Sequence, residues 1–281
     1  MIHSAESILL KQEIKQDSNI PVLPPGIVYL LKALNDENIL YADLAVELEK
    51  FPSIAIKIVA IANSAWALPS MPITNLHDAC ARIGLNIVRS VSIALSISHV
   101  FDPSRCASFN TKTFWTSALL NAESAFLCAK DHPDIDPNTA RFAGLLHNIG
   151  LLWLANQKPE ETAIALSSAQ KDDQFSIAQS LNEQLGTDHY TIGGLLATSM
   201  ELPDIIVDAI STGALFGIKD ESPLVHNHLH AKKLTTSVLK HKEKELEGDE
   251  QALPEDDDPH YQKLADILPK IQTMADAIFV S

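Results

Sequence analysis

Apolar residues along this chain recur every three and four positions, and no window gives a convincing alternation of apolar and polar residues. That period marks amphipathic helices with one face turned to a core. The clearest case is 111–131. There Phe114, Ala118, Ala122, Ala125 and Ala129 share one stripe, with Lys112, Asn121, Glu123 and Lys130 mostly off it. Small residues on the stripe permit close helix approach. The same reading predicts helices near 138–156, 159–171, 174–185, 188–200, 203–216 and 223–246. A final helix, Tyr261 to Phe279, carries Leu264, Ile267, Leu268, Ile271 and Ile278. The expected fold class is all-α.

Breaks fall where Pro and capping residues cluster. Pro21, Pro24, Pro25 and Gly26 separate a short N-terminal helix from the next one, because a residue before proline is biased to extended geometry. Phe51 and Pro52 end a helix and offer Ser53 as the N-cap of the next, 54–63. Asn75 can cap a helix with Asp78 at its third position, and Gly84 permits a turn. Asn63 and Ser64 are read as closing their helix and holding the turn through Trp66 to Pro72, and also as candidate ligand residues. The segment 101–110, with Asp102, Pro103 and Ser104, is the best domain boundary. An acidic run, Glu255, Asp256, Asp257 and Asp258, makes 247–259 a linker.

Composition narrows the function classes. The 281 residues are 46% hydrophobic, enough for a substantial core. The net charge of −15 argues against nucleic acid or an anionic membrane as partner, since phosphate binding needs a basic face. The densest basic stretch, 232–244, runs directly into Glu245, Glu247, Asp249 and Glu250 and reads as a solvated helix face. Three cysteines without a C-x-x-C spacing argue against a disulfide framework. Cys80 and Cys128 lie in apolar helical patterns and are expected to be buried, whereas Cys106 lies near a loop and is expected to be exposed. No run approaches the roughly 20 apolar residues of a membrane span, and 1–18 carries charge throughout without a signal-type core. A soluble cytoplasmic protein is expected. No Gly-rich phosphate loop, G-x-S-x-G elbow or H-E-x-x-H is present.

A series of short motifs, in order, carries a resemblance. They are Leu23-Pro24-Pro25, Phe51-Pro52, Lys57 to Ala65, Ile83-Gly84-Leu85, Phe114-Trp115, Ala143 to Gly150, Glu183 to His189 with Gly193, and Leu202-Pro203 with Ala209-Ile210. Each is weak alone. Together, over roughly 20–240, the chain resembles the HDOD family of bacterial signalling modules, relatives of the HD and HD-GYP metal-dependent phosphohydrolases. The resemblance implies a two-lobed all-α domain, a helical lobe over 21–105 and an HD-like lobe over 106–246, preceded by the short N-terminal helix over 1–20. The acidic linker over 247–259 and a C-terminal helix over 260–281 complete the chain. A receiver or cyclase domain often accompanies the family, and none is visible in this sequence.

The resemblance also allows the metal ligands of HD enzymes to be placed on this chain. They fall at Ser117, at the His147–Asn148 pair, at His189, at Gly213 and Ala214, and at Lys232. Only His147 and His189 keep a ligand type. Asn148 lacks the carboxylate that a hard cation prefers, and Lys232 puts a positive charge where a metal would sit. The site therefore reads as degenerate, with no catalytic residue, no metal and no cofactor, apart from weak divalent binding at His147. His147 reads as a hydrogen-bonded core histidine, and Trp115 and Trp153 as core. His189 is expected to aid a cap beside Asp188 or to pair with Glu183. His226, His228 and His230 alternate at two, which spreads them around a helix and makes a poor metal site; in a loop they would bind nickel or zinc weakly.

These expectations converge on a non-catalytic signalling module that binds a protein partner or a small ligand. Lys232 would replace the metal's charge near His147 and pair with an acidic neighbour or an anionic ligand. The alternative is a divergent metal-dependent phosphohydrolase acting on nucleotides or cyclic dinucleotides, with substitute ligands from Asp188, Glu183 or Asp131. A third reading is a homodimer or scaffold joined through the end helices, 1–18 and Tyr261 to Phe279.

Overall fold

The computed structural model describes residues 39–64, 71–98, 100–171, 176–200, 202–213, 222–246 and 257–279. The N-terminal helix, the Leu23-Pro24-Pro25 motif, most of the acidic linker and Ala214 lie outside them. Among the described residues the structure is helical with no strand. In chain order the helices are α1 Tyr41–Glu49, α2 Pro52–Ala62, α3 Leu76–Ile83 and α4 Leu85–Ser98. They continue with α5 Thr111–Ala129, α6 Pro137–Leu146, α7 Ile149–Gln157, α8 Pro159–Lys171 and α9 Ile177–Leu185. The last are α10 His189–Ser199, α11 Asp204–Ser211, α12 Pro223–Leu246 and α13 Tyr261–Phe279.

Local chemistry sets several of these boundaries. Asn75 Oδ1 accepts the Asp78 backbone N–H at 2.8 Å, capping α3 as its sequence predicts. Gly84, at φ +91°, turns the chain from α3 into α4. Asn63 Nδ2 donates to the Ile73 carbonyl at 2.8 Å while its Oδ1 accepts the Ile73 N–H at 2.8 Å. That pair closes the turn after α2, and Ser64 Oγ donates to the Ile61 carbonyl at 2.8 Å. Two expectations are corrected. α2 begins at Pro52 with Phe51 as N-cap, so Ser53 lies inside the helix; proline fits the first turn because its missing N–H would have no partner there. Cys106 is buried rather than exposed. Its loop folds into a 3₁₀ turn, Pro103–Arg105, which packs on α7 and carries the thiol inward.

The predicted helix over 138–156 is two helices, broken at His147 and Asn148. α5 is the hub: it packs against α6, α12 and α13, and the stripe residues Ala118, Ala122, Ala125 and Ala129 are buried there. Gly144 on α6 makes the closest crossing, since a Cβ on it would lie 2.9 Å from Ala125 Cβ and from the Asn121 carbonyl oxygen. The buried apolar side chains form one continuous cluster from Leu44 on α1 to Met274 on α13, with Trp115 and Trp153 in it. No single helix among the described residues is long and apolar enough to cross a membrane.

Candidate functional site

The break between α6 and α7 presents His147 at the C-terminus of α6 and Asn148 as the N-cap of α7. Gly150, just after it, lets α7 lie against the start of α10; a Cβ there would fall 2.0 Å from the His189 carbonyl oxygen and 2.5 Å from the Gly193 nitrogen. This crossing brings His189 beside the break. Asp188 caps α10, its Oδ1 accepting the N–H groups of Tyr190 and Thr191 at 2.9 Å each.

α12 supplies the other side, and buried polar pins fix its register on α5. Ser124 Oγ donates to the Ala231 carbonyl at 3.0 Å, and Asn227 Nδ2 donates to the Ala125 carbonyl at 3.0 Å. Asn121 Nδ2 donates to the Gly144 carbonyl at 2.8 Å and its Oδ1 accepts from Thr235 Oγ1 at 3.3 Å, so one side chain ties α5, α6 and α12. The stripe Leu224, His228, Ala231, Thr235 and Val238 is buried. It carries His228 inward, its ring 6.1 Å from that of His147. Four residues on, Lys232 Nζ donates to the Tyr190 hydroxyl and lies 4.0 Å from the Tyr190 ring centroid.

The centre is thus three buried imidazoles, His147, His189 and His228, with a lysine. His147 Nδ1 lies 2.8 Å from the Gly144 carbonyl oxygen. A carbonyl only accepts, so Nδ1 carries the proton and Nε2 the lone pair. Burial first, then the charge of Lys232, brings His189 down to about 3 and His228 to about 4. His147 is held well below its ordinary range by burial, then by His228 and Lys232. Burial lowers Lys232 to about 8, and only the charge of Asp188 opposes it. Tyr190 is pushed up by burial and by Asp188, so its hydroxyl stays protonated. Among the described residues, His189 Nδ1, both nitrogens of His228 and Asn148 Oδ1 are buried without a hydrogen bond.

A divalent cation asks for convergent lone pairs and, in HD enzymes, a carboxylate. Here an ammonium faces the imidazoles, and Asn148 offers only a neutral amide. Among the described residues no three His, Cys, Asp or Glu side chains are placed to share an ion. The other anticipated positions scatter. Ser117 is half-buried on α5, Glu183 is exposed on α9, and Asn63 and Ser64 serve the turn after α2. Asp188 is engaged as a cap, and Asp131 Oδ2 meets His260 Nε2 at 2.8 Å. Gly213 does reach the centre: at φ +107° it faces Tyr190, and a Cβ would sit 3.4 Å from Lys232 Nζ. His226 and His230 turn away from it, and His230 Nε2 meets Asp258 Oδ2 at 2.5 Å. Spacing by two in the sequence makes His228 look like one of three scattered histidines. The i, i+4, i+7 burial stripe of α12 is the signal that singles it out.

The helices around this centre define an all-α protein of the HD-related class. The chain belongs to the HDOD family, whose domain matches residues 20–214. The match stops short of α12, so His228 and Lys232 lie beyond it. A Marinobacter aquaeolei structure, described as a candidate signal transduction protein, is similar at TM-score 0.74 and 21% identity, covering 99% of this chain and 66% of that one. A Geobacter sulfurreducens HDOD domain protein with unknown function is similar at 0.69 and 19%, covering 99% of each chain. A Shewanella amazonensis protein, described as a candidate phosphohydrolase, is similar at 0.68 and 23%, covering 95% of this chain and 97% of that one. These likenesses concern the fold. None of the curated proteins compared with the chain matches it.

Proposed function

We propose that this chain is a non-catalytic signal-transduction module that binds a protein partner or a small ligand, and that its HD-type centre is degenerate. One observation supports the reading: the Lys232 ammonium, hydrogen-bonded to Tyr190, lies close enough for its charge to act on His147, His189 and His228, and the resemblance to HD enzymes puts metal ligands at His147, His189 and Lys232. A fixed cation at that place opposes a divalent ion at short range and supplies its own positive charge to the surrounding polar groups. Three free, buried cysteines support a cytoplasmic setting.

The test is metal content and activity together. Protein purified with manganese, nickel or magnesium and then passed over a chelator should retain no stoichiometric metal. It should also turn over neither phosphomonoesters nor cyclic nucleotides. Retained metal, with hydrolysis that His147→Ala abolishes, would establish the second reading, a divergent phosphohydrolase. One observation favours that alternative: His147 Nδ1 is held by a backbone carbonyl, the same anchoring that orients a metal-ligating imidazole. Co-purification with the full chain as bait addresses the partner, and size measurement in solution addresses the homodimer.

A further inference from the structure

Helix α13 lies in the angle where α1–α4 meet the rest of the fold. Of those helices, α4 packs directly on α5 and α6, while α2 packs on α13. On its other side α13 packs along α5 and α12. Its buried stripe, Leu264, Leu268, Ile271, Met274 and Ala275, recurs at helical spacing. Ile267, Ile271 and Met274 close on Ile87 and Ser90 of α4 and on Leu119 of α5. The space left among them is about 10 Å³, no more than one water could fill.

α13 is held differently from the helices it meets. α5, α6 and α12 are pinned to one another by buried polar bonds through Asn121, Ser124 and Asn227. Two ties of α13, one near each end, reach water instead. Lys112 Nζ, at the start of α5, meets Asp276 Oδ1 at 2.6 Å, with side chains 45% and 46% exposed. His260 meets Asp131, just past the end of α5, whose side chain is 61% exposed. α13 thus runs antiparallel along the whole of α5, and water and salt compete for both ties. Midway, Pro269 lacks the N–H that would bond the Ala265 carbonyl. Beside Pro269 the helix stands off α12, across an open groove of about 320 Å³ lined by Val238 and His241. The face that α13 covers lies within the family's matched residues, 20–214, and α13 lies beyond them.

We infer that α13 is a displaceable wedge. Seated, it locks α1–α4 against α5. Lifted, with the other helices still folded, it frees them to move. Folded chains open in cooperative units of unequal stability. α13 is a separate unit of this kind, seated by one apolar stripe and tied at ends open to water. It also packs on α12, which carries His228 and Lys232, so its lifting reaches a wall of the histidine centre. The wedge holds whether or not that centre binds metal.

Thiol labelling of the full chain provides the test. Ser90→Cys puts a thiol of similar size into the space that α13 closes, where Ser90 is 4% exposed. A bulky aromatic disulfide should label it slowly, at a rate set by the lifting of α13. Adding Ile271→Ala loosens the seat and should speed that labelling about tenfold or more, the scale of a lost core side chain. The native Cys80, buried in α3, should keep its rate, read by mass spectrometry. Lys112→Met removes only an end tie, so it serves even if Ile271→Ala does not fold. It should speed labelling about twofold to fivefold in low salt and leave it unchanged in high salt. The wedge is overturned if neither change alters the rate at position 90, or if both speed Cys80 equally, because the chain then opens as a whole.

Discussion

Helix α12 carries histidines of two opposite kinds, two residues apart. His228 is buried beside His147, and neither of its nitrogens makes a hydrogen bond among the described residues. His230 is exposed and meets the Asp258 carboxylate just before α13. A second carboxylate pair, His260 with Asp131, joins the start of α13 to the end of α5; there the imidazole is buried and the carboxylate exposed. The inner trio is assembled by close helix crossings and buried polar pins. The outer pairs are assembled by carboxylates that reach across loops. Helix geometry explains the split, because residues two apart point to nearly opposite sides of the axis. The environment, rather than the residue type, then decides what each imidazole can do. An enclosed imidazole near a cation is kept neutral, while one beside a carboxylate gains a partner.

The strongest way to break this contrast is to separate the crossing that builds the trio. Gly150→Ala places a methyl group 2.0 Å from the His189 carbonyl and 2.5 Å from the Gly193 nitrogen, both backbone atoms that cannot swing aside. α7 and α10 must part. We expect a loss of about 3 kcal/mol or more in unfolding free energy, at the upper end for overpacking. Denaturant unfolding measures it. A loss below about 1 kcal/mol would show that the crossing is loose and that His189 is not fixed by it.

Acid should separate the two kinds next. In the unfolded chain an imidazole takes up a proton near pH 6.5. In the fold His189 does so only near 3 and His228 near 4. Between 6.5 and about 4 the unfolded state therefore binds protons that the folded state lacks. Stability falls as the pH falls through that window, by up to about 1.4 kcal/mol per unit for each residue. Unfolding measured across that pH range should show the slope, and His228→Leu should make it shallower. An unchanged slope in that variant would place His228 in contact with solvent.

Lys232 has the same pH sense in a higher window. Its folded value of about 8 lies below the 10.5 of an ordinary lysine, so the charged form is disfavoured by the fold. Stability should rise as the pH climbs from about 8 towards 10.5, because there the unfolded chain keeps the proton and the folded one releases it. Lys232→Met removes the burdened charge and also the hydrogen bond to Tyr190. The two effects oppose, and partial exposure softens the first, leaving a net gain of about 1 kcal/mol at pH 7. The gain should vanish near pH 10.5. A loss of stability in this variant would mean that the ammonium is held by attraction rather than tolerated.

How much of the molecule is legible in its sequence differs by region. The helical fold is, because apolar spacing and caps such as Asn75 act locally, and the bounds of α12 and α13 match the sequence reading. The break at His147 and Asn148 is not. Apolar residues run through it at Leu145, Leu146, Ile149 and Leu151, and neither proline nor a positive-φ glycine marks it. Cys106 is buried against expectation because a loop need not be exposed, and a 3₁₀ turn folds this one against α7. The convergence of Tyr190, His228 and Lys232 depends on pins such as Ser124 to Ala231, 107 residues apart, which no local pattern encodes. The seat of α13 between α4 and α5 is tertiary in the same way.

The outer pairs give the smallest expected effect and the cleanest control. His260 Nε2 and Asp131 Oδ2 are 2.8 Å apart, yet the Asp131 side chain is 61% exposed, so water and salt compete for it. A double-mutant cycle of His260→Gln and Asp131→Asn should return a coupling of under about 1 kcal/mol, shrinking further in high salt. Neither change should alter the acid slope assigned to the inner trio, because the pair joins α5 to α13 and the trio is built from α6, α10 and α12. A coupling well above that value, insensitive to salt, would mean that the burial of His260, whose side chain is 8% exposed, shields the pair from water.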